Sequence, residues 1–272
     1  MTTFGFIGAG NMAGAIVRGA VRAGTDPMNL AVTDANPAAG AALAGELGVR
    51  AVASNQDIVE TCDYVVLAVK PQVLSAVAAE IREPLAECRP VVVSIAAGQT
   101  LHKLAGLLPP GLAIVRVMPN VNAMIGEGMA AVCGNAHATP EQVGAVIELF
   151  AAVGQAIELP EKDFPAFTAV AASGPAFVFT FIDALARAAL KSGVPKPLAV
   201  RIAAQTVLGS AKLVLERAAD GATPADLADM VSSPGGTTIA GLIAAEEAGF
   251  SPAVVRAVDA TIARDRELGA LA

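Results

Sequence analysis

The sequence predicts an α/β protein in which a doubly wound parallel sheet is followed by an all-α domain. From the start to about Pro160, short β-rich runs alternate with Ala-rich segments of helical length, which is typical of βαβ units. Beyond Pro160 only long Ala-, Leu- and Val-rich segments follow, and turn signals separate them. We therefore expect two domains, at residues 1–160 and 161–272.

Composition limits the function classes. The chain has 272 residues, of which 54% are hydrophobic, so it can bury a large core. Its formal net charge of −7 gives no attraction to nucleic acid or anionic lipid, and we expect neither as a partner. The 3 cysteines form no Cys-x-x-Cys pair, which favours a reducing compartment and no metal site. Because no basic segment precedes the first strand-like run, we expect no signal peptide and a cytoplasmic location.

Several β-rich runs are clear strand candidates in the first domain. The run Tyr64–Val69 is apolar throughout instead of alternating, as expected for a central strand that helices cover on both faces. The clearest predicted strands are Phe4–Ile7, Leu30–Thr33, Tyr64–Val69, Val91–Ile95 and Ile114–Val117.

The second domain is predicted to be helical throughout. Ala176–Leu190 is apolar around nearly its whole circumference, with only Asp183 and Arg187 charged, so we expect it to be buried on all sides. Such burial in a small domain indicates a subunit interface and hence a dimerisation domain. The uncharged run 166–182 is interrupted by Ser173-Gly174-Pro175, which argues against a membrane span. The expected helices are roughly 175–192, 197–219, 223–231, 236–248 and 252–268.

A glycine loop follows the first predicted strand at once. Its residues are Gly8, Ala9, Gly10, Asn11, Met12 and Ala13, and a helix follows them. This order matches the G-x-G-x-x-G/A fingerprint of dinucleotide binding in the required strand, loop and helix setting. The phosphates of a dinucleotide would lie at the positive end of the helix dipole. We therefore expect an N-terminal Rossmann domain; the alternative is an ordinary tight βα connection.

Other loops at the carboxyl ends of strands should line the same crevice. Asp34 follows the second predicted strand, and its sequence spacing from the glycine loop is the one expected for a ribose-binding acid. It could also be a turn and cap residue. No Arg or Lys lies between Arg22 and Arg50, which favours NADH or loose selectivity. Lys70 could be a solvated charge or a residue near the cofactor. The loops are Ala68, Val69, Lys70 and Pro71; Ser94 to Gly98, with small Ala96 and Ala97; and Val117, Met118, Pro119 and Asn120.

A second polar loop interrupts the helical domain. Ser233, Gly235, Gly236, Thr237 and Thr238 open a helix between two apolar segments. Backbone N–H groups and hydroxyls there could bind a carboxylate at the helix N-terminus. The alternative is an ordinary capped helix after a Pro-Gly turn.

Six stretches taken together carry a resemblance to a known family. They are Gly8–Met12, Ala68–Gln72, Ser94–Gly98, Arg116–Asn120, Ser173–Ala176 and Ser233–Thr238. Over essentially the whole chain they resemble pyrroline-5-carboxylate reductases. The resemblance implies reduction of L-1-pyrroline-5-carboxylate, a small imino acid, to L-proline with NADPH or NADH. It also implies homodimers with interlocked helical domains, often assembled as decamers of five dimers.

The resemblance implies a role for each matched position. The residues implied to bind the cofactor are Gly8, Ala9, Gly10, Asn11, Met12, Asp34, Asn36, Asn55, Ala68, Val69, Lys70, Pro71, Ala96, Ala97 and Gly98, beside Met118, Pro119 and Asn120 of the crevice. The residues implied to bind the substrate are Ser173, Ser233, Gly235, Gly236, Thr237 and Thr238. The Thr238 hydroxyl would lie near the ring nitrogen as the catalytic group. His102 and His137 lie outside the motifs, and a protonated imine needs no strong base.

The chain also departs from the family pattern. Ala171, Ala172 and Phe177 replace a serine, a glycine and a tyrosine, while Pro165 and Met230 replace an aspartate and an asparagine. A paralogue that reduces another cyclic imine is therefore one alternative. A β-hydroxyacid dehydrogenase is a second, although the lysine of that family is missing from 166–189. A dinucleotide-binding regulator without activity is the third, and it would be expected to have an eroded substrate loop.

Overall fold

The computed structural model describes residues 2–270, which form two compact units. The first unit contains the described residues up to Ser173 and those from Thr261 onward, and the second contains Gly174–Ala260. This division by contacts lies at Ser173, and the sequence-based division after residue 160 stays a prediction.

The first unit is built on one sheet of eight strands within the described residues. The strand order is β3-β2-β1-β4-β5-β6-β7-β8, so the order reverses between β1 and β4, where open α/β sheets bind their ligands. The strands are β1 Phe4–Ile7, β2 Leu30–Thr33, β3 Arg50–Ala51, β4 Tyr64–Leu67, β5 Val91–Ser94, β6 Ile114–Met118, β7 Gly128–Gly134 and β8 Gly154–Glu158.

Helices cover both faces of this sheet. Phe6 and Val66 belong to one hydrophobic cluster, whereas Ile7 and Leu67 belong to the other, because neighbouring side chains of a strand point to opposite faces. The helices of the first unit are α1 Asn11–Arg22, α2 Pro37–Leu47, α3 Asn55–Thr61, α4 Pro71–Glu80, α5 Arg82–Cys88, α6 Leu101–Leu107, α7 Pro140–Ala151 and α8 Phe164–Phe167, followed by a π-helical turn at Thr168–Ala172.

The predicted doubly wound sheet is confirmed, with one correction to the direction of its strands. Strands β1 to β6 are parallel, but β7 is antiparallel to β6, and β8 is parallel to β7. All five predicted strands are present, although those beginning at Tyr64 and Val91 end earlier, at Leu67 and Ser94. Strands β3, β7 and β8 are not among the predicted strands. Strand β7 reads Gly-Met-Ala-Ala-Val-Cys-Gly, which has little β propensity.

The second unit is helical, as predicted. Helix α9, at Gly174–Lys191, is linked to helix α10, at Lys196–Ala218, by Asp183. Asp183 accepts hydrogen bonds from Arg187 Nε at 2.6 Å and Lys196 Nζ at 2.5 Å. These cations lower the pKa of Asp183. The helices are α9 Gly174–Lys191, α10 Lys196–Ala218, α11 Pro224–Met230, α12 Thr237–Glu247 and α13 Phe250–Ala270, of which the residues from Thr261 belong to the first unit.

Helix α9 is largely exposed within the single chain, so its predicted burial on all sides would need a subunit interface. Its buried residues are Pro175 and Ala186. Large apolar side chains of α9 and α10 are exposed, among them Phe179, Phe181, Leu190, Ile202 and Leu215. These exposed apolar side chains therefore require a partner from outside the chain to cover them.

Two described helical segments are long and apolar enough to cross a membrane by length and composition. They are Glu161–Lys191 and Lys196–Ala218, and a bent pair of helices, Thr237–Glu247 with Phe250–Gly269, would raise the number to three. The first contains the π-helical turn at Thr168–Ala172. Either a lipid phase or a protein partner would satisfy these exposed apolar surfaces.

Two mid-helix glycines test the packing of the first unit. A Cβ at Gly19 of α1 would lie 2.1 Å from Val153 Cγ1 and 2.9 Å from Ala152 O, whereas a Cβ at Gly144 of α7 would meet no atom within 4 Å. Gly19→Ala should lower the free energy of unfolding by about 1–3 kcal/mol. Gly144→Ala should raise it by about 0.5–1 kcal/mol through helix propensity alone. Urea unfolding at one protein concentration measures both, and equal shifts would contradict the described packing.

Candidate active site

The glycine loop between β1 and α1 forms an open cradle. Gly8 has φ +107° and donates its N–H to Thr33 O at 2.8 Å, and a Cβ there would lie 2.6 Å from Ala68 O. A Cβ at Gly10 would meet no atom within 4 Å, so the space above it is open. Gly10 caps α1 without a side-chain hydrogen bond, which leaves N–H groups of the first turn available. An open space facing such donors fits a pyrophosphate.

The remaining residues of the loop lie at the start of α1. Asn11 is the exposed first residue of the helix, and Ala9 and Met12 are half-buried against the core. This local geometry follows from the sequence, since the strand, the glycines and the helix are contiguous.

Asp34 is held at the carboxyl end of β2 by backbone donors. Its Oδ2 accepts the Ala9 N–H at 2.7 Å, and its Oδ1 accepts the Asn36 N–H at 2.8 Å. The Asn36 side chain caps α2 by accepting the Ala38 N–H at 3.2 Å. The structure therefore brings a fixed carboxylate against the glycine loop, where the ribose was predicted.

Two polar side chains of the first unit, those of Asn55 and Arg18, are paired with glutamates. Asn55, which was predicted near the ribose, donates its Nδ2 to Glu80 Oε2 at 2.9 Å. On α1, Arg18 is paired with Glu46 at 2.7 Å. This end of the crevice suits a ribose hydroxyl better than a 2′-phosphate, because a phosphate would face a carboxylate of like charge.

A cavity of about 860 Å³ opens in the first unit. Of the predicted site residues it is lined by Pro71, Ala97, Gly98, Met118 and Ser173. These come from the carboxyl ends of β4, β5 and β6 and from the end of the π-helical turn, so they converge although they are far apart in the sequence. Small and apolar side chains of this kind can admit a flat ring.

Other predicted cofactor residues lie outside the lining of this cavity, and their roles stay predictions. Asn120 is buried, donates its Nδ2 to Ala171 O at 2.9 Å and accepts the Met129 N–H at 3.1 Å, so it braces the π-helical turn. Lys70 is exposed at the N-cap of α4. From the same strand-end loops, Ala68, Val69, Ala96 and Pro119 also lie outside the lining.

The structure adds lining residues that sequence reasoning missed. Thr168 belongs to the π-helical turn, and Asp265 belongs to the part of α13 that lies in the first unit. Burial raises the pKa of the Asp265 carboxyl, while the charge of Arg116 opposes that rise. Nothing local in the sequence marks residue 265, since its place at the cavity depends on the end of α13 lying against Gly98 and Lys103, which are distant in the sequence.

Arg116 is a buried cation beside this cavity. Its NH1 donates to Glu161 Oε1 at 2.8 Å, and its guanidinium carbon lies 4.5 Å from the centre of the Phe164 ring. Glu161 Oε1 also accepts the Leu101 N–H at 2.7 Å, so it ties β6 to the start of α6. This network holds the loop that carries Ala97 and Gly98 against the segment before α8.

The predicted substrate loop lies in the second unit. Gly235 has φ +67°, and Gly236 donates its N–H to Ser233 O at 2.9 Å. Gly236 caps α12 without a side-chain hydrogen bond, and Thr237 and Thr238 are exposed at its start. The loop therefore presents backbone donors and hydroxyls that can bind an anion. Ser173 lies in the first unit, so the predicted substrate residues are divided between the units.

The described residues offer few groups suited to metal binding or redox chemistry. Within residues 2–270, no three His, Cys, Asp or Glu side chains are arranged to hold a metal ion. Cys62, Cys88 and Cys133 are free thiols, and burial raises the pKa of Cys133 to about 12.

Comparisons with known proteins show the family to which the chain belongs. Residues 161–268 match the model "Pyrroline-5-carboxylate reductase dimerisation", and residues 3–98 match "NADP oxidoreductase coenzyme F420-dependent". A pyrroline-5-carboxylate reductase from Methanosarcina acetivorans is 41% identical over 266 residues, which are 97% of each chain.

Two solved structures agree with that relationship. The reductase from Coxiella burnetii has a TM-score of 0.93 at 32% identity and covers 98% of each chain. The Plasmodium falciparum pyrroline carboxylate reductase, solved with NADP bound, has a TM-score of 0.85 at 29% identity and covers 99% of this chain and 98% of its own. Because this chain carries a dimerisation domain, its assembly is homo-oligomeric. The chain belongs to the pyrroline-5-carboxylate reductase family of NAD(P)-dependent oxidoreductases.

Proposed function

We propose that this chain reduces L-1-pyrroline-5-carboxylate to L-proline, the last step of proline biosynthesis, with NADPH or NADH in the cytoplasm. The observation that carries the proposal is the exposed loop of Ser233 and Gly235–Thr238, in a chain that aligns with a known reductase over 97% of each sequence. A helix N-terminus with free hydroxyls suits the carboxylate of a small imino acid.

The cofactor site would use the residues that form the cradle and the cavity. Gly8 to Met12 hold the pyrophosphate, and Asp34 contacts the adenosine ribose. Ala97, Gly98 and Met118 flank the space for the nicotinamide, which when bound supplies the hydride. We expect NADH to be preferred, because both oxygens of Asp34 are fixed by backbone donors beside the ribose position.

The reaction depends more on aligning the imine with the nicotinamide than on acid or base catalysis. A protonated cyclic imine is already a good hydride acceptor, so the protein has to orient it and exclude water. The Thr238 hydroxyl, exposed at the start of α12, can hydrogen-bond the ring nitrogen without titrating. The backbone N–H groups of Gly235 and Thr237 hold the carboxylate, while the Gly236 N–H, which bonds Ser233 O, shapes the loop. Ser233 Oγ can add a hydroxyl.

The assembly would be a homodimer, which could combine further into a decamer of five dimers. The exposed apolar side chains of α9 and α10 provide the surface, and a second copy would cover them. A protein interface of this kind accounts for the two long apolar segments without a membrane.

One alternative function has a specific observation in its favour. The family departures include Ala172, which lines the cavity beside Ser173. A changed wall could suit a different cyclic imine, so pyrroline-2-carboxylate is the appropriate comparison substrate. The dehydrogenase and regulator alternatives find no such support, since 166–189 contains no lysine and the Ser233–Thr238 loop is intact.

Removing the Thr238 hydroxyl should separate catalysis from cofactor binding. The wild-type enzyme should oxidise NADH and NADPH with pyrroline-5-carboxylate faster than with pyrroline-2-carboxylate, and faster with NADH. Thr238→Ala should lower kcat/KM by about 100-fold with the Kd for NADH unchanged, because only a substrate contact is lost. Thr238→Ser keeps the hydroxyl and should stay within about 5-fold of wild type. Unchanged turnover in Thr238→Ala would exclude the assigned role.

A charge on the apolar face of α9 should break the assembly. Phe179 is 58% exposed in the single chain, and Phe179→Asp would place a carboxylate in the proposed interface. Light scattering should show a smaller particle for this variant, with activity reduced. Met28→Asp is the matched control, since Met28 is 59% exposed in the first unit, and it should leave the mass unchanged. A Phe179→Asp protein of wild-type mass would contradict the proposed interface.

A further inference from the structure

The hydroxyl of Thr168 is buried without a hydrogen-bond partner among the described residues. Thr168 is 8% exposed. Its Oγ1 is one of two buried side-chain nitrogen or oxygen atoms in residues 2–270 that make no hydrogen bond. Burying a hydroxyl in this way costs free energy unless a partner is supplied. The side chain also lines the large cavity, so a ligand there can supply that partner.

Several other described hydroxyls, in helices or just after one, do make a hydrogen bond to a carbonyl. Thr180 donates to Ala176 O at 3.0 Å, Thr206 to Ile202 O at 2.9 Å and Ser232 to Ala228 O at 2.8 Å. Each bond runs to the carbonyl four residues earlier, which is the usual partner of a helical Ser or Thr. Thr168 makes no such bond with Phe164, so its hydroxyl is free to interact elsewhere.

The backbone around Thr168 explains the difference. Ser173 donates its N–H to Thr168 O at 2.9 Å, a spacing of five residues that defines a π-helical turn. Such turns are rare and often lie at functional sites. Asn120 holds this turn against the end of β6 through its bond to Ala171 O.

The neighbours of Thr168 in the cavity indicate the chemistry of its partner. Ala97, Gly98 and Met118 are small or apolar, so they suit the flat face of a ring. The wall also carries polar and charged side chains, among them Gln72, Gln99 and Thr168, and a ring held there presents its polar substituent to groups of this kind. The nicotinamide carboxamide carries both a donor and an acceptor, and either satisfies a hydroxyl.

We propose that Thr168 Oγ1 hydrogen-bonds the carboxamide of the bound nicotinamide and thereby positions the ring for hydride transfer. Thr168 is thus a positioning residue on the cofactor side, distinct from Thr238 on the substrate side. The inference rests on the proposed cofactor but not on the identity of the imine.

Thr168→Val tests this directly, because valine has nearly the shape of threonine and lacks the hydroxyl. Calorimetry should show NADH binding about 10-fold weaker, while ADP-ribose, which lacks the nicotinamide, binds within about 2-fold of wild type. Thr168→Ser keeps the hydroxyl and should bind NADH within about 3-fold of wild type. The ligand-free Thr168→Val protein should melt about 2 °C higher, because an unpaired buried hydroxyl is removed.

Three results would overturn the inference. Equal weakening of NADH and ADP-ribose with a lower Tm would show a structural role. Unchanged binding of both would show that the hydroxyl has no cofactor partner, and a raised KM for the imine alone would assign it to the substrate. Failure of the proposed function is distinguishable, since a wild-type protein that does not reduce pyrroline-5-carboxylate can still show the NADH-specific effect.

Discussion

The close approach of two backbones at the point where the strand order reverses is the constraint on which the site depends. Gly8 follows β1, and a side chain there would lie 2.6 Å from the carbonyl of Ala68 after β4. Only a glycine at φ +107° allows the loop to pass and α1 to begin with its N–H groups open. The cradle, the fixed carboxylate of Asp34 and the crevice between the strand ends all follow from this crossing.

A second constraint holds the far side of the crevice. Asn120 and Arg116 use their polar groups within the protein, the first on the π-helical turn and the second on Glu161. Both are buried in the first unit. Asn120 thereby supports the turn that carries Thr168 and lies next to Ser173, and its predicted contact with the cofactor stays a prediction.

The parts of this structure that depend on local pattern could be predicted from the sequence. Strand β1, the glycine loop and Asp34 are read from contiguous residues, and the helices of the second unit come from their apolar runs and turn signals. Strands β7 and β8 could not be found in the same way, because Gly and Ala dominate β7 and its pairing with β6 is long-range. Thr168 and Asp265 were missed because their importance depends on the absence of a partner and on tertiary packing. The roles of Ser233 and Thr238 stay predictions.

The central claim is that this chain transfers hydride to C5 of pyrroline-5-carboxylate. The most direct measurement is mass spectrometry of the product formed with a nicotinamide cofactor deuterated at the transferred position of C4. The account predicts L-proline carrying one deuterium at C5. Protein that binds the cofactor yet forms no labelled proline, or labels only the product of another imine, would contradict it.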